Sequence, residues 1–159
     1  MKQQDELPLA LRAAYHGLHR QSDTQFAEHG VTADQFVLLA TLARGAALTQ
    51  RQLAARMPSD PSTVRAMLVL LERGGLVSRN SHPTDGRART VALTRAGRQK
   101  FQQVWEAGQS IRDQMVSSLS AREAGTLVTL LRRVAESLAD ISPVGISQLI
   151  AAASTEDGT

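Results

Sequence analysis

The sequence predicts a mainly helical chain carrying one small β-hairpin, an α+β arrangement in the order α-α-α-α-β-β-α-α. Three observations predict it. Apolar residues recur three and four positions apart over most of the chain, the period of a helix with one buried face. Thr or Ser followed three residues later by Gln or Glu recurs at Thr32, Thr49 and Ser120; this pattern opens helices by satisfying their free N–H groups. Between Leu76 and Leu93 the pattern changes to alternation around a cluster of turn residues, as in a hairpin.

Residues 6–28 read as a long amphipathic helix through Leu7, Leu11, Tyr15 and Leu18, ended by Gly30. Thr32 opens a second helix through Phe36, Leu39 and Ala43, which stops near Gly45. Thr49 starts a short helix that ends at Met57-Pro58. Ser59-Asp60-Pro61 combines an N-cap with a proline at the first helical position, where its missing N–H costs nothing. The helix that follows runs to Glu72 or Arg73, and Gly74-Gly75 supply a positive-φ stop. Leu76–Arg79 and Thr90–Leu93 read as strands around the turn His82–Gly86. Thr94 caps a long helix through Phe101, Val104, Trp105 and Ile111 to about Leu119. A last helix follows through Leu127, Leu130, Leu131, Val134 and Leu138, with a short helical turn expected at 145–152.

Two short helices joined by a turn and followed by a hairpin make a winged helix-turn-helix, placed here at residues 32–94. The outer helices, within 6–30 and 95–150, are too long and too apolar on one face to stand alone. They are expected to pack against a second copy of the chain as a symmetric dimer. Residues 1–5 and 153–159 are expected to be flexible termini.

Charge is segregated. From Arg44 to Lys100 eleven basic residues face three acidic ones, Asp60, Glu72 and Asp85, a local net charge of +8; the rest of the chain carries −5. A basic central stretch is the electrostatic footprint of a nucleic-acid module, and double-stranded DNA is the expected partner. No window of about 18 uncharged apolar residues is present, so no membrane span is expected. The N-terminus lacks the apolar core of a secretory signal, and a cytoplasmic location fits. With no cysteine there is no disulfide framework, thiolate zinc site or thiol redox switch. The four histidines, at 16, 19, 29 and 82, do not form a compact metal-ligand set. No phosphate loop, nucleophile elbow or acid–base pair is visible, so neither a cofactor nor an enzymatic activity is expected.

The helix beginning at Pro61 would enter the major groove. Ser62, Thr63 and Arg65 stand near its start, while Val64, Leu68 and Leu71 face inward. Arg65 suits either guanine O6 and N7 or a phosphate; the two hydroxyls suit phosphate or act only as local caps. The free N–H groups of the helix start would add a phosphate contact. Thr49, Ser59, Arg79 and Arg89 complete the candidate DNA-contact set. At the hairpin tip, Asp85-Gly86-Arg87 places an arginine where it could enter the minor groove. Asp85 would hold its guanidinium, unless the segment is merely an Asx turn with solvated arginines.

The runs Leu71-Glu72-Arg73-Gly74-Gly75-Leu76-Val77-Ser78-Arg79, Pro83-Thr84-Asp85-Gly86-Arg87 and Val91-Ala92-Leu93-Thr94-Arg95-Ala96-Gly97 resemble the MarR family of bacterial transcriptional regulators. The resemblance covers roughly residues 6–140. It implies a homodimer on a near-palindromic operator, usually repressing transcription, with Arg87 in the minor groove and Asp85 orienting it. It also implies release by a small phenolic or aromatic acid in a crevice between the dimerisation helices and the DNA-binding lobe. Candidate residues for that crevice are Tyr15, His16, His19, Arg20, Phe36 and Leu39; Tyr15 and Phe36 could equally be core, and the histidines solvated. Sequence-independent architectural binding to DNA without an effector is the alternative function.

Overall fold

The computed structural model describes residues 2–45 and 47–138. The expected turn at 145–152 and tail at 153–159 lie outside the described residues. The elements in chain order are α1 (Gln3–Ala27), α2 (Ala33–Ala43), β1 (Leu48–Thr49), α3 (Gln50–Arg56), α4 (Pro61–Arg73), β2 (Val77–Ser81), β3 (Arg89–Leu93), α5 (Arg95–Ala107), α6 (Gln109–Val116) and α7 (Ala121–Ser137). The chain is mainly helical with one small antiparallel sheet, a winged helix-turn-helix flanked by long helices.

The helix starts lie where the local chemistry puts them. Thr32 Oγ1 accepts the Gln35 N–H at 3.1 Å while Gln35 Oε1 accepts the Thr32 N–H at 3.0 Å. Thr49 and Gln52 form the same reciprocal pair, as do Ser120 and Glu123. Each box satisfies two backbone donors that the first helical turn leaves open. Helix α1 begins at Gln3, earlier than the periodicity suggests, and tolerates Pro8 in its second turn. Gly30 leaves it with φ +70°, and Gly75, at φ +72°, turns the chain out of α4; these angles strain any residue with a Cβ.

Two features depart from the expectation. The sheet has three strands, ordered β1-β3-β2, because Leu48 and Thr49 pair with Val91 and Thr90. The hairpin itself pairs Val77 with Leu93 and Ser81 with Arg89. The expected helix from 95 to about 119 is bent at Gly108 into two segments, α5 and α6. A Cβ at Gly108 would lie 3.3 Å from the Phe26 ring and 3.1 Å from Arg112 Nη1, so the ring from α1 packs against the break between the two segments.

The core joins all parts of the winged lobe. Leu38, Leu39 and Leu42 from α2 meet Leu53 from α3, Val64, Leu68 and Leu71 from α4, and Val77 and Val91 from the sheet. Each such side chain contributes roughly 1.5–3 kcal/mol when fully buried. Phe26 and Val104 extend this core to α1 and α5. Polar ties reinforce the junction: Asp23 Oδ1 accepts the Ala33 N–H at 2.7 Å, Gln25 donates to the Ala107 carbonyl, and Lys100 donates to the His29 carbonyl at 3.0 Å. Helix α7 differs, for none of its residues is buried. Leu127, Leu130 and Leu131 remain exposed along it, as do Leu7 and Leu18 on α1.

Candidate nucleic-acid interface

Helix α4 turns Val64, Met67, Leu68 and Leu71 inward and leaves Ser62, Thr63 and Arg65 exposed. The start of the helix is organised by Asp60. Its Oδ1 accepts the backbone N–H groups of Ser62 and Thr63, both at 3.0 Å, and the Ser62 hydroxyl. Its Oδ2 accepts the Thr63 hydroxyl at 2.6 Å. These bonds hold the Asp60 carboxyl well below the usual aspartate range, the Ser62 and Thr63 hydroxyls first among them.

That arrangement bears on two expectations. The leading N–H groups of α4 do not point at a phosphate, because an anion of the protein already occupies them. Nor can Ser62 and Thr63 donate to phosphate in this geometry, since both hydroxyl protons go to Asp60; they present lone pairs. Thr49 is half-buried, with its hydroxyl accepting the Gln52 N–H at the start of α3. Ser59 is half-buried beside the start of α4.

At the hairpin tip Arg87 and Arg89 are exposed, and neither makes an ion pair or side-chain hydrogen bond among the described residues. Asp85 does not meet the Arg87 guanidinium; its Oδ1 accepts the Arg87 backbone N–H at 3.0 Å. This is an Asx turn, the alternative stated above for the segment, and it shapes the loop from which Arg87 projects. His82 is the residue that sequence reasoning passed over. Its Nδ1 accepts the backbone N–H groups of Thr84 and Asp85 at 3.2 and 3.1 Å, while its backbone N–H donates to the Ala88 carbonyl at 3.1 Å. A histidine three residues before the Asp-Gly pair was the available signal. Arg79 is not a free cation: its Nε lies 3.1 Å from Glu72 Oε2, and its side chain is only 22% exposed.

Behind α4 lies a crevice of about 780 Å³ between the winged lobe and helices α1, α5 and α6. Tyr15, Phe26, Phe36 and Trp105 give it aromatic walls, and Ser59, Asp60 and Thr63 form the edge at the start of α4. The Phe36 ring packs 5.0 Å from Phe26 and 6.4 Å from Trp105. Of the six crevice candidates, Tyr15, His19 and Phe36 line it. Leu39 is fully buried in the core, Arg20 borders a separate groove with Gln21 and Gln25, and His16 packs against Tyr15 on the exposed side. The cation at the crevice is Arg112, whose guanidinium lies 4.0 Å over the Trp105 ring. Arg112 lies on α6, far along the chain from the candidates on α1 and α2, and carried no sequence signal. His19 lies between carboxylates, with Nδ1 3.2 Å from Asp23 and Nε2 3.5 Å from Asp34.

Among the described residues no helix is long and apolar enough to cross a membrane, and no group of His, Asp and Glu could hold a metal ion. Comparison with known proteins gives one consistent answer. A MarR family model matches residues 29–88. The HTH-type transcriptional repressor MdtR of Bacillus subtilis is 30% identical over 127 residues, covering 77% of this chain and 82% of that protein. The multiple antibiotic resistance protein MarR of Escherichia coli is 31% identical over 105 residues, or 65% of this chain and 73% of that protein. A crystal structure of a point mutant of the Escherichia coli MarR with operator DNA superposes with a TM-score of 0.75 at 27% identity, covering 81% of this chain and 93% of that one. These relatives are transcription regulators, not enzymes, and the superposed structure shares the fold described above. The chain belongs to the MarR family of winged-helix transcriptional regulators.

Proposed function

We propose that the chain is a homodimeric, cytoplasmic repressor that binds a near-palindromic operator in double-stranded DNA and leaves it when a small phenolic or aromatic-acid ligand fills the crevice. One observation carries the reading: Ser59, Asp60 and Thr63, at the start of the recognition helix, also form an edge of the aromatic crevice. A ligand there touches the element that reads DNA. Dimerisation is supported by α7, a 17-residue helix with an apolar side and no buried residue, which a second copy would cover. Repression is supported by the similarity to the repressor MdtR, and operator binding by the similarity to the MarR–operator complex.

Residues 32–94 then form the DNA-binding lobe, and residues 6–30 with 95–150 the dimerisation region. Arg65 reads a base edge or phosphate in the major groove, with Thr49, Ser59, Ser62 and Thr63 around it. Arg87 enters the minor groove and Arg89 follows the backbone. Arg79 acts through Glu72, holding the wing against α4.

Selection from a random duplex library, followed by anisotropy titration, tests this. A pair of inverted half-sites about 10 base pairs apart should emerge, bound about 10³-fold or more tighter than bulk DNA. Discrimination below about tenfold would replace this reading with architectural binding. Light scattering should give twice the monomer mass.

A further inference from the structure

The crevice places its charges unevenly. Asp34 and Asp60 come from the DNA-binding side, while Arg112 comes from α6. Arg112 is already engaged, stacked on Trp105 and donating to Gln109 Oε1 at 2.7 Å. Asp60 is used unevenly too: among the described residues three donors converge on Oδ1, while Oδ2 accepts the Thr63 hydroxyl alone. A carboxylate oxygen offers about two lone-pair directions, so Oδ2 has room for another donor. Asp60 and Thr63 both border the crevice, whereas Ser62 does not. An anionic group approaching this edge meets like charge; a hydroxyl meets an ionised acceptor.

Resting on the crevice reading above, we propose that the crevice selects aromatic ligands bearing a hydrogen-bond donor, phenols rather than aromatic acids, and that this donor engages Asp60 Oδ2. The second donor draws on the same oxygen, so it weakens the bond from the Thr63 hydroxyl and frees that hydroxyl part of the time. Thr63 presents only lone pairs to DNA while it donates to Asp60; once displaced, it presents a donor. Occupancy of the crevice thereby changes what the first turn of α4 offers the major groove. Reciprocity requires DNA to change phenol binding by the same factor by which phenol changes DNA binding.

Trp105 is the only tryptophan in the chain and lines the crevice, so its emission reports occupancy directly. The full chain is titrated at pH 7 with 4-ethylphenol, 4-ethylanisole and 4-ethylbenzoate. The phenol should bind on the order of tenfold tighter than the anisole, the gain of one charge-assisted bond, and tighter than the benzoate. Asp60→Ser keeps a good N-cap and should erase the phenol–anisole difference. Thr63→Val frees Oδ2 and should strengthen phenol binding, which tests the competition without touching the carboxylate. Equal binding of phenol and anisole, tighter binding of benzoate, or discrimination that persists in Asp60→Ser would overturn the Asp60 assignment and leave the crevice reading standing. Unchanged or weakened phenol binding by a folded Thr63→Val protein would do the same. No change in Trp105 emission with any of the three compounds would overturn both.

Discussion

Gly97 offers a test in which packing reverses the sign of an otherwise favourable change. It lies in the first turn of α5, where the helix passes the root of the wing. A Cβ there would stand 1.9 Å from the Leu76 backbone oxygen and 3.3 Å from Leu93 Cδ2. Contact distances begin near 3.5 Å, so the clash is roughly 1.5 Å deep, and a carbonyl oxygen cannot change rotamer to escape. That oxygen is also held, because it accepts the Thr94 N–H at 3.1 Å. In an open helix, Gly→Ala gains about 0.8–1 kcal/mol. Against this stand overpacking, about 1–3 kcal/mol, and a weakened hydrogen bond of about 1 kcal/mol. Gly97→Ala should therefore lose about 1–3 kcal/mol. Gly125, on α7 with nothing within 4 Å, is the control and should gain about 0.5–1 kcal/mol as alanine. Urea denaturation at matched protomer concentration measures both, since association shifts apparent stability. A Gly97→Ala protein as stable as the parent, beside a stabilised Gly125→Ala, would refute the close approach of α5 to the wing root.

Three further outcomes are expected. Arg87→Ala should lower the salt slope of DNA binding by about one, whereas Arg79→Ala should change it by less than half as much because that charge is paired with Glu72; equal losses would show that both arginines reach phosphate. Leu131→Asp, on the exposed apolar side of α7, should convert the dimer to a monomer by light scattering, and a retained dimer would place the interface elsewhere. The Asp60 carboxyl is more acidic in the folded chain than in the unfolded one, so its stabilisation is complete above the ordinary aspartate value of 3.8 and is lost as pH falls below it. The stability advantage of the parent over Asp60→Asn should thus be flat from about pH 5 to 8 and shrink towards about pH 3; an advantage that changed between about pH 6 and 8 would point to a different titrating group.

Much of the winged lobe and of the flanking helices was legible because the signals are local. The boxes at Thr32, Thr49 and Ser120 bond residues three apart, and no distant contact is needed to close them. The stop at Gly75 and the turn before Arg87 are equally local. Strand β1 was not legible: Leu48-Thr49 is too short to show a period, and it is a strand only because β3 lies beside it. The ligand candidates divided for a similar reason. Spacing along α1 puts His16, His19 and Arg20 near one another, but only the packing of α1 on α2 and α5 decides that His19 faces the crevice while Arg20 borders another groove.

By itself the sequence determined the order of helices and hairpin, the basic central stretch and the exposed arginines of α4 and the wing, since these follow from period, capping and charge within a few residues. Tertiary structure alone decided how those residues are used. It committed the Ser62 and Thr63 hydroxyls to Asp60, paired Arg79 with Glu72, and brought Trp105 and Arg112 to a crevice formed with α1 and α2. Hydrogen-bond direction and burial depend on which surfaces meet, and that is set by the packing of elements far apart in the chain.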